Sequence, residues 1–351
     1  MSPTPPPFPE YNLALLGFGN VGQALIELLI EKKADLAADP GISFRVVGIA
    51  SGSHGRAVNP QGLPLQEVLD AYREGKSLDE FSSSPIADSQ EFIQNCGADA
   101  LVESTPVNYQ TGEPALDFLR AGLKAGMHAV TANKGPVVHG YRDLTKLARR
   151  EGVSFYFESA VMDGAPVFAI ARCGLPGASI EGFSGILNST TNLILSRMEG
   201  GETQEDAIVY AQSIGIAETD PSGDVDGWDA AVKVAALATV LMDVPLLPEH
   251  IDMTGIRGLT PDLIQDAASE GKRWKLFCEC VRDPESPRGL RATVNPQMID
   301  QDSIFYHVTG TSSILEISSD MLGKLVLIED NPSPHTTAYG LLADLINAFK
   351  V

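Results

Sequence analysis

The sequence predicts an α/β fold in which a doubly wound parallel sheet is joined to a second, α+β domain. Three observations predict it. Short apolar runs alternate with amphipathic helical patterns through the first half, a Gly-x-Gly-x-x-Gly turn opens that alternation, and beyond Glu158 the pattern changes to strands and helices of a mixed sheet. A length of 351 residues has room for roughly two domains.

Taken in order, Asn12–Leu16 reads as a strand, Gly17–Gly22 as a turn and Gln23–Lys33 as an amphipathic helix. Further strands are expected at Phe44–Ala50, Ala98–Glu103, His128–Ala132 and Ser154–Glu158, with helices at Pro114–Ala125 and Tyr141–Glu151. The polar stretch Ser51–Ser89 reads as loops with one short helix. In the second half, strands are expected at Ile180–Leu187, Leu276–Arg282, Gly289–Val294, Ile304–Thr309 and Lys324–Ile328. Helices are expected at Glu202–Ile214, Asp229–Met242 and Pro261–Glu270. A last helix, Thr337–Phe349, returns to the first domain, so the expected division is 1–157 plus 335–351 against 158–334.

Composition narrows the function. The apolar fraction of 44% is enough for two cores. No apolar run reaches the roughly 18 residues of a membrane span. The proline-rich start, Met1–Glu10, has neither the basic head nor the apolar middle of a signal peptide. It reads as a floppy leader, and the chain as cytoplasmic with no membrane partner. A formal charge of −21 excludes nucleic acid as a partner, because phosphate binding needs a basic face, yet leaves room for a local cofactor site. The same charge suits plain solubility or a salty or hot cytoplasm. Four scattered cysteines without zinc spacing are expected as buried, reduced thiols.

Gly17-Phe18-Gly19-Asn20-Val21-Gly22 follows a strand and opens a helix, the context that gives a Rossmann fingerprint its meaning. Its glycines permit a tight turn, close approach of backbone to pyrophosphate, and close helix–sheet packing. These six residues are therefore expected at a nicotinamide dinucleotide. The second strand ends in Ala50-Ser51-Gly52-Ser53-His54-Gly55-Arg56, with no carboxylate for a ribose 2′-hydroxyl. Ser51 and Arg56 can accept a 2′-phosphate, which favours NADP, with NAD as the alternative; Arg56 as a solvated loop cation is the competing reading. Ser104, Thr105 and Lys134 stand at strand C-termini, the edge where parallel sheets place ligands.

Asp229 and Lys233, at i and i+4, project from one face of a helix that continues as the apolar run Val234–Met242. A charged pair at the edge of a buried region can exchange a proton with a substrate hydroxyl while hydride moves to or from nicotinamide. The plainer alternative is a surface ion pair worth about 0.3–0.5 kcal/mol. Glu218, Asp224 and Asp229 offer carboxylates to a substrate amino group.

Three segments then follow the glycine turn in a fixed order: Thr131-Ala132-Asn133-Lys134, the stretch from Gly185 through Asn188-Ser189-Thr190-Thr191 to Asn192, and Glu218 through Asp220-Pro221-Ser222-Gly223-Asp224 to Lys233. Together they closely resemble the homoserine dehydrogenases, from about Asn12 to the C-terminus. The resemblance implies reversible reduction of L-aspartate 4-semialdehyde to L-homoserine by NAD(P)H, in amino-acid biosynthesis leading to threonine and methionine. It implies Lys233 as proton donor, Glu218 and Asp229 on the amino-acid substrate, and Lys134 near nicotinamide and substrate. Asp224, Thr190 and Asn192 complete the substrate site, and Gly340 joins the cofactor site. It further implies a sodium-like cation at Glu158, Val161, Asp163 and Ala165, for which a metal-free hinge is the alternative. A homodimer through the second domain is also implied, with the edge of the mixed sheet as its candidate surface.

Two departures stand out. Ser189 occupies a position where the family has glycine, and the segment Asp330–Thr336 replaces a glycine-rich turn, although Thr337-Ala338-Tyr339-Gly340 persists. His335 is accordingly expected as a loop residue. The chain ends without room for a regulatory domain, so threonine feedback is not expected. A related dehydrogenase of another small amino or hydroxy acid is the runner-up reading, and a nucleotide-sensing protein without turnover the third.

Overall fold

The computed structural model describes residues 8–350. The Met1–Pro7 part of the expected leader lies outside the described residues, and Glu10 opens the first strand. The chain forms two units. One runs up to Gly164 and resumes at Ser333; the other spans Ala165–Pro332.

The first unit is built on a six-stranded sheet. Its strands are β1 (Glu10–Leu16), β2 (Ser43–Ser51), β3 (Gly55–Val58), β4 (Ala100–Glu103), β5 (His128–Thr131) and β6 (Phe155–Tyr156), in the order β3-β2-β1-β4-β5-β6. All pair in parallel except β3, which folds back antiparallel on β2. Both faces are covered, which is why the central strands read as unbroken apolar runs. Leu13 and Leu15 face one core with Ile49, Val102, Leu341 and Leu345; Ala14 and Leu16 face the other with Leu101, Phe92 and Ile93. This alternation is the two-residue period of a strand.

Three expectations change here. The polar stretch after β2 holds a strand, β3, besides the helix Leu65–Arg73 and a short 3-10 turn, Leu78–Phe81. The helix expected from Tyr141 begins at Lys134, because the Asn133 side chain accepts the Gly135 N–H at 3.0 Å and caps it. Gly135-Pro136 resembles a turn in sequence, but proline is tolerated in a first helical turn. The expected strand Ser154–Glu158 shrinks to Phe155–Tyr156 and continues as a 3-10 turn, Glu158–Ala160.

The second unit carries β7 (Ile180–Ile186), β8 (Asp252–Met253), β9 (Lys272–Arg282), β10 (Leu290–Asp300), β11 (Ser313–Ser319) and β12 (Gly323–Glu329), in the order β12-β11-β7-β9-β10-β8. All neighbours are antiparallel except β8 and β10. The expected strand Ile304–Thr309 is a correction: Ile304–His307 is a 3-10 turn started by the Ser303 hydroxyl, and the strand lies further on, at Ser313–Ser319. Phe305 and Val308, three residues apart, cap the sheet over Phe277, Ile186, Ile299 and Ile314, a helical spacing that β-propensity obscured.

The helix Trp228–Leu241 is buried around most of its circumference, with Ala230, Ala231, Val234, Ala235, Ala236 and Ala238 at 0% exposure. A helix apolar on all sides belongs inside a domain. Elsewhere the sheet is more open. Val326, Glu316, Ser184, Glu279 and Thr293 form one cross-strand row, none of them buried, and Val326 and Ile328 of edge strand β12 are exposed.

Among the described residues, no helix is long and apolar enough to cross a membrane, and no three His, Cys, Asp or Glu side chains cluster as a metal would require. All four cysteines are free. Cys96, Cys278 and Cys280 are buried as expected, but Cys173 is exposed.

Candidate functional site

Each unit contributes one constellation. In the first, the turn Gly17–Gly22 is seated at the C-terminal ends of β1, β2 and β4. Gly17 N–H donates to Ala50 O at 3.0 Å, Ser104 N–H to Leu16 O at 2.9 Å, and Ser104 Oγ to Gly17 O at 3.2 Å. A Cβ on Gly17 would stand 2.6 Å from the Ser104 backbone, and one on Gly22 2.6 Å from Gly17 O, so neither position tolerates a side chain. Gly19 differs: a Cβ there would meet nothing within 4 Å. The helix Asn20–Glu31 starts with no side-chain cap and no acidic residue in its first turn. Open space over an uncapped helix N-terminus fits a dinucleotide pyrophosphate. Asn20 is exposed and Val21 half-buried beside this space. Phe18, by contrast, is 1% exposed and its ring packs edge-on against Tyr72, so it serves the core.

Around this turn, Glu103, in sequence only the end of an expected strand, is the residue that organises the strand ends. It is fully buried at the end of β4. Its Oε1 accepts from Thr105 N–H at 2.7 Å and Thr105 Oγ1 at 2.5 Å, and its Oε2 from Thr131 Oγ1 at 2.6 Å. Burial pushes its carboxyl above the ordinary range, while the hydrogen bonds from Thr105, Thr131 and Asn133 pull it back. One carboxylate thus fixes Thr105 and the strand end that leads to Lys134. A charged residue closing an otherwise apolar strand was the available signal. Lys134 is half-buried in the first helical turn after Asn133, where the helix dipole disfavours a cation, so packing economy alone does not explain it.

At the end of β2 the hairpin to β3 gathers Ser51, Ser53, His54 and Arg56. Ser53 Oγ lies 3.5 Å from Ser51 Oγ and 2.7 Å from His54 Nδ1. Arg56 belongs to a strand, not a loop; its guanidinium donates to Ala87 O at 3.3 Å, and its Nε is buried with no partner. Asp79, absent from the sequence reading, also arrives here: its Oδ1 accepts Arg56 N–H at 2.7 Å, and its carboxyl abuts Gly55. No local pattern connects residue 79 with the end of β2.

The segment Glu158–Gly164 packs against the C-terminal helix Pro334–Phe349. Glu158 N–H donates to Asp344 Oδ2 at 2.7 Å, Ser159 Oγ to Thr337 O at 2.7 Å, and Thr337 Oγ1 to Asp163 Oδ1 at 2.9 Å. Gly340 permits this approach, since a Cβ there would stand 3.0 Å from Asp163 O. Glu158 and Val161 are buried, and Met162 and Asp163 hold positive φ values of 55° and 44°. Ala165 begins the second unit. His335 lies in the first turn of the C-terminal helix, its ring 3.1 Å from Glu27 and exposed.

In the second unit Lys233 and Asp229 form the ion pair that their spacing suggested, at 3.1 Å, with side chains 15% and 10% exposed. Lys233 Nζ also donates to Leu187 O at 2.7 Å. The next residue, Asn188, donates from Nδ2 to Asp224 Oδ1 at 2.6 Å and to Asp229 Oδ2 at 2.9 Å. A cation, two carboxylates and an amide therefore converge on the end of β7. Beneath them the Cys278 thiol is pushed up to about 12 by burial and stays neutral. Thr190 is buried beside this group, its hydroxyl 3.3 Å from Ile216 O. Glu218 is exposed on the loop before it. Asn192 is not at hand for a substrate: its amide donates to Val308 O and Ser312 O, and its oxygen accepts from Lys275 Nζ at 2.8 Å.

Comparison with known proteins bears on both units. Residues 17–158 match the family model described as homoserine dehydrogenase, NAD binding domain, and residues 166–346 the one described as homoserine dehydrogenase. An NAD(+)-dependent homoserine dehydrogenase from Pseudomonas canavaninivorans is 34% identical over 339 residues, 96% of each chain. A homoserine dehydrogenase from Methanocaldococcus jannaschii is 32% identical, covering 97% of this chain and 98% of that one. Among solved structures, a hyperthermophilic archaeal homoserine dehydrogenase in complex with NADPH superposes with a TM-score of 0.79 at 27% identity, covering 97% of each chain.

Behind the second constellation lies a polar knot. Lys275 on β9 is 0% exposed, donates to Asn192 Oδ1 and Val308 O at 2.8 Å each, and neighbours Glu199 and Arg273. Burial lowers its ammonium to about 8 from an ordinary 10.5. The folded chain then binds fewer protons than the unfolded one between those values, so stability rises as pH climbs from about 8 to 10.5. Urea titrations across this window are expected to show wild type gaining up to about 3 kcal/mol relative to Lys275→Met. Equal slopes for the two proteins would show that Lys275 is not so perturbed.

Proposed function

The chain belongs to the homoserine dehydrogenase family of NAD(P)-dependent oxidoreductases acting on a CH–OH group, and we propose that it interconverts L-homoserine and L-aspartate 4-semialdehyde with Lys233 as proton donor. The Lys233–Asp229 pair carries this reading. Nearly buried and held from two sides, it is costly to keep as a mere ion pair and well placed to move a proton. The nicotinamide, when bound, supplies or accepts the hydride. In the reducing direction Lys233 Nζ gives a proton to the carbonyl oxygen; in the oxidising direction it takes the proton of the hydroxyl. Asp229 orients the ammonium. Glu218, Asp224 and Asp229 bind the substrate's amino group, Thr190 lines the site, and Lys134 assists.

Purified protein is expected to reduce NADP or NAD with homoserine and with no other small hydroxy acid at comparable rate. Lys233→Ala should lower turnover by at least about 100-fold without weakening cofactor binding. A variant with near-normal turnover removes Lys233 from the role, and a wild type selective for another hydroxy acid replaces the substrate. Running the same assay in choline chloride instead of sodium chloride tests the cation assigned to Glu158, Val161, Asp163 and Ala165.

For the cofactor we propose NADP over NAD, supported by the hydroxyls of Ser51 and Ser53 and the cation of Arg56 at the end of β2. Arg56→Ala is expected to cut kcat/KM for NADP by about 10–100-fold, the scale of charge-assisted hydrogen bonds, and to spare NAD. The second reading, NAD, is favoured by the Asp79 carboxylate beside the same hairpin. A kcat/KM higher for NAD and indifferent to Arg56 selects it.

The proposed assembly is a homodimer through the half-open face of the second sheet, where Val326 and Ile328 are exposed. Light scattering should give twice the chain mass for wild type and the single mass for Ile328→Glu; an unchanged dimer in the variant moves the interface elsewhere.

A further inference from the structure

Every polar atom of the Asn188 side chain has a partner, and the partners belong to different parts of the constellation. Nδ2 carries two hydrogens, one directed to Asp224 Oδ1 at 2.6 Å and one to Asp229 Oδ2 at 2.9 Å. Oδ1 accepts the Thr191 N–H at 2.7 Å and caps the helix Ser189–Glu199. The residue is 3% exposed. Two carboxylates thus lie within hydrogen-bond reach of a single neutral nitrogen. One of them shares the same oxygen, Asp229 Oδ2, with Lys233 Nζ.

Like charges this close resist being ionised together, and a pair left to itself tends to share a proton. An amide –NH2 removes that conflict without adding charge, since it gives each carboxylate its own donor. A hydroxyl has one hydrogen and serves only one of them; a carboxylate has none. The preceding residue contributes too, because Leu187 O holds the ammonium of Lys233. Consecutive residues at the end of β7 therefore set the positions of the cation and of both anions.

We propose that Asn188 is a positioning residue for the dehydrogenase reaction. Its amide bridges Asp224 and Asp229 and keeps both ionised, so that Asp229 orients Lys233 and both carboxylates meet the substrate ammonium. The inference rests on the function proposed above. Charged or titratable groups facing this point include Lys233 and the buried, neutral Cys278.

Asn188→Asp and Asn188→Ser separate this role from helix capping, because Asp and Ser cap a helix about as well as Asn. Both variants should stay folded at the assay temperature, melting below wild type as a carboxylate loses its donor, and bind NADP with unchanged affinity. In Asn188→Ser, kcat/KM for homoserine should fall at least about 10-fold, and in Asn188→Asp about 100-fold, the scale of a small misplacement of reacting groups. In Asn188→Asp the acid limb of the kcat/KM profile should also move to higher pH, as three adjacent carboxylates come to share protons. Calorimetric titration of the enzyme–NADP complex with homoserine should show weaker binding in both. A normal profile with normal homoserine affinity in folded Asn188→Asp overturns the proposal, as does an activity loss matched by a loss of folded protein. A wild type that oxidises no homoserine instead removes the reaction, a separate outcome read before any variant is made.

Discussion

A half-buried ammonium next to two carboxylates is stable only where each remaining hydrogen and lone pair finds a partner. The second unit meets this constraint at the point where β7 runs into the helix Ser189–Glu199. There the chain offers a carbonyl to Lys233, an amide to two aspartates and a capping oxygen to the helix from adjacent residues. The Trp228–Leu241 helix, sealed by alanines, brings Asp229 and Lys233 to the same point. Displacing either element would strand a charge in a region with little water, so the packing of the unit and the chemistry of the pair are one arrangement.

The first unit solves the same problem with the opposite sign. A chain carrying a net charge of −21 must receive a dinucleotide diphosphate. Backbone N–H groups at a helix start that lacks acidic residues suit such a ligand, because local dipoles outweigh distant charge. Glu103 closes β4 fully buried and occupied by Thr105 and Thr131, so it braces the loops from within.

Much of this was legible in the sequence because its signals are local. The glycine turn, the strand before it, the helix after it and the i,i+4 pair of Asp229 and Lys233 each depend on spacing within one element. Features that depend on contacts between distant segments were not legible. Ile304–His307 has strand-forming residues but covers a sheet as a turn, and Ser313–Ser319 earns its central place only through its neighbours β7 and β12. Asn192 sits in a motif shared with the family, yet its amide is consumed by Lys275, Val308 and Ser312. Asn188, in the same motif, could have been singled out: an asparagine between a strand and a helix is a capping signal, although its bridge to two aspartates was visible only in three dimensions.

The hairpin between β2 and β3 has a consequence for the history of such enzymes. The carboxylate beside it is delivered by Asp79, from a short surface turn that belongs to neither the glycine loop nor the central strands. Divergence in that turn can alter the charge beside the hairpin while the central strands of the sheet stay untouched. Lineages sharing one scaffold can in this way retune the electrostatics of a strand end by mutation at the periphery.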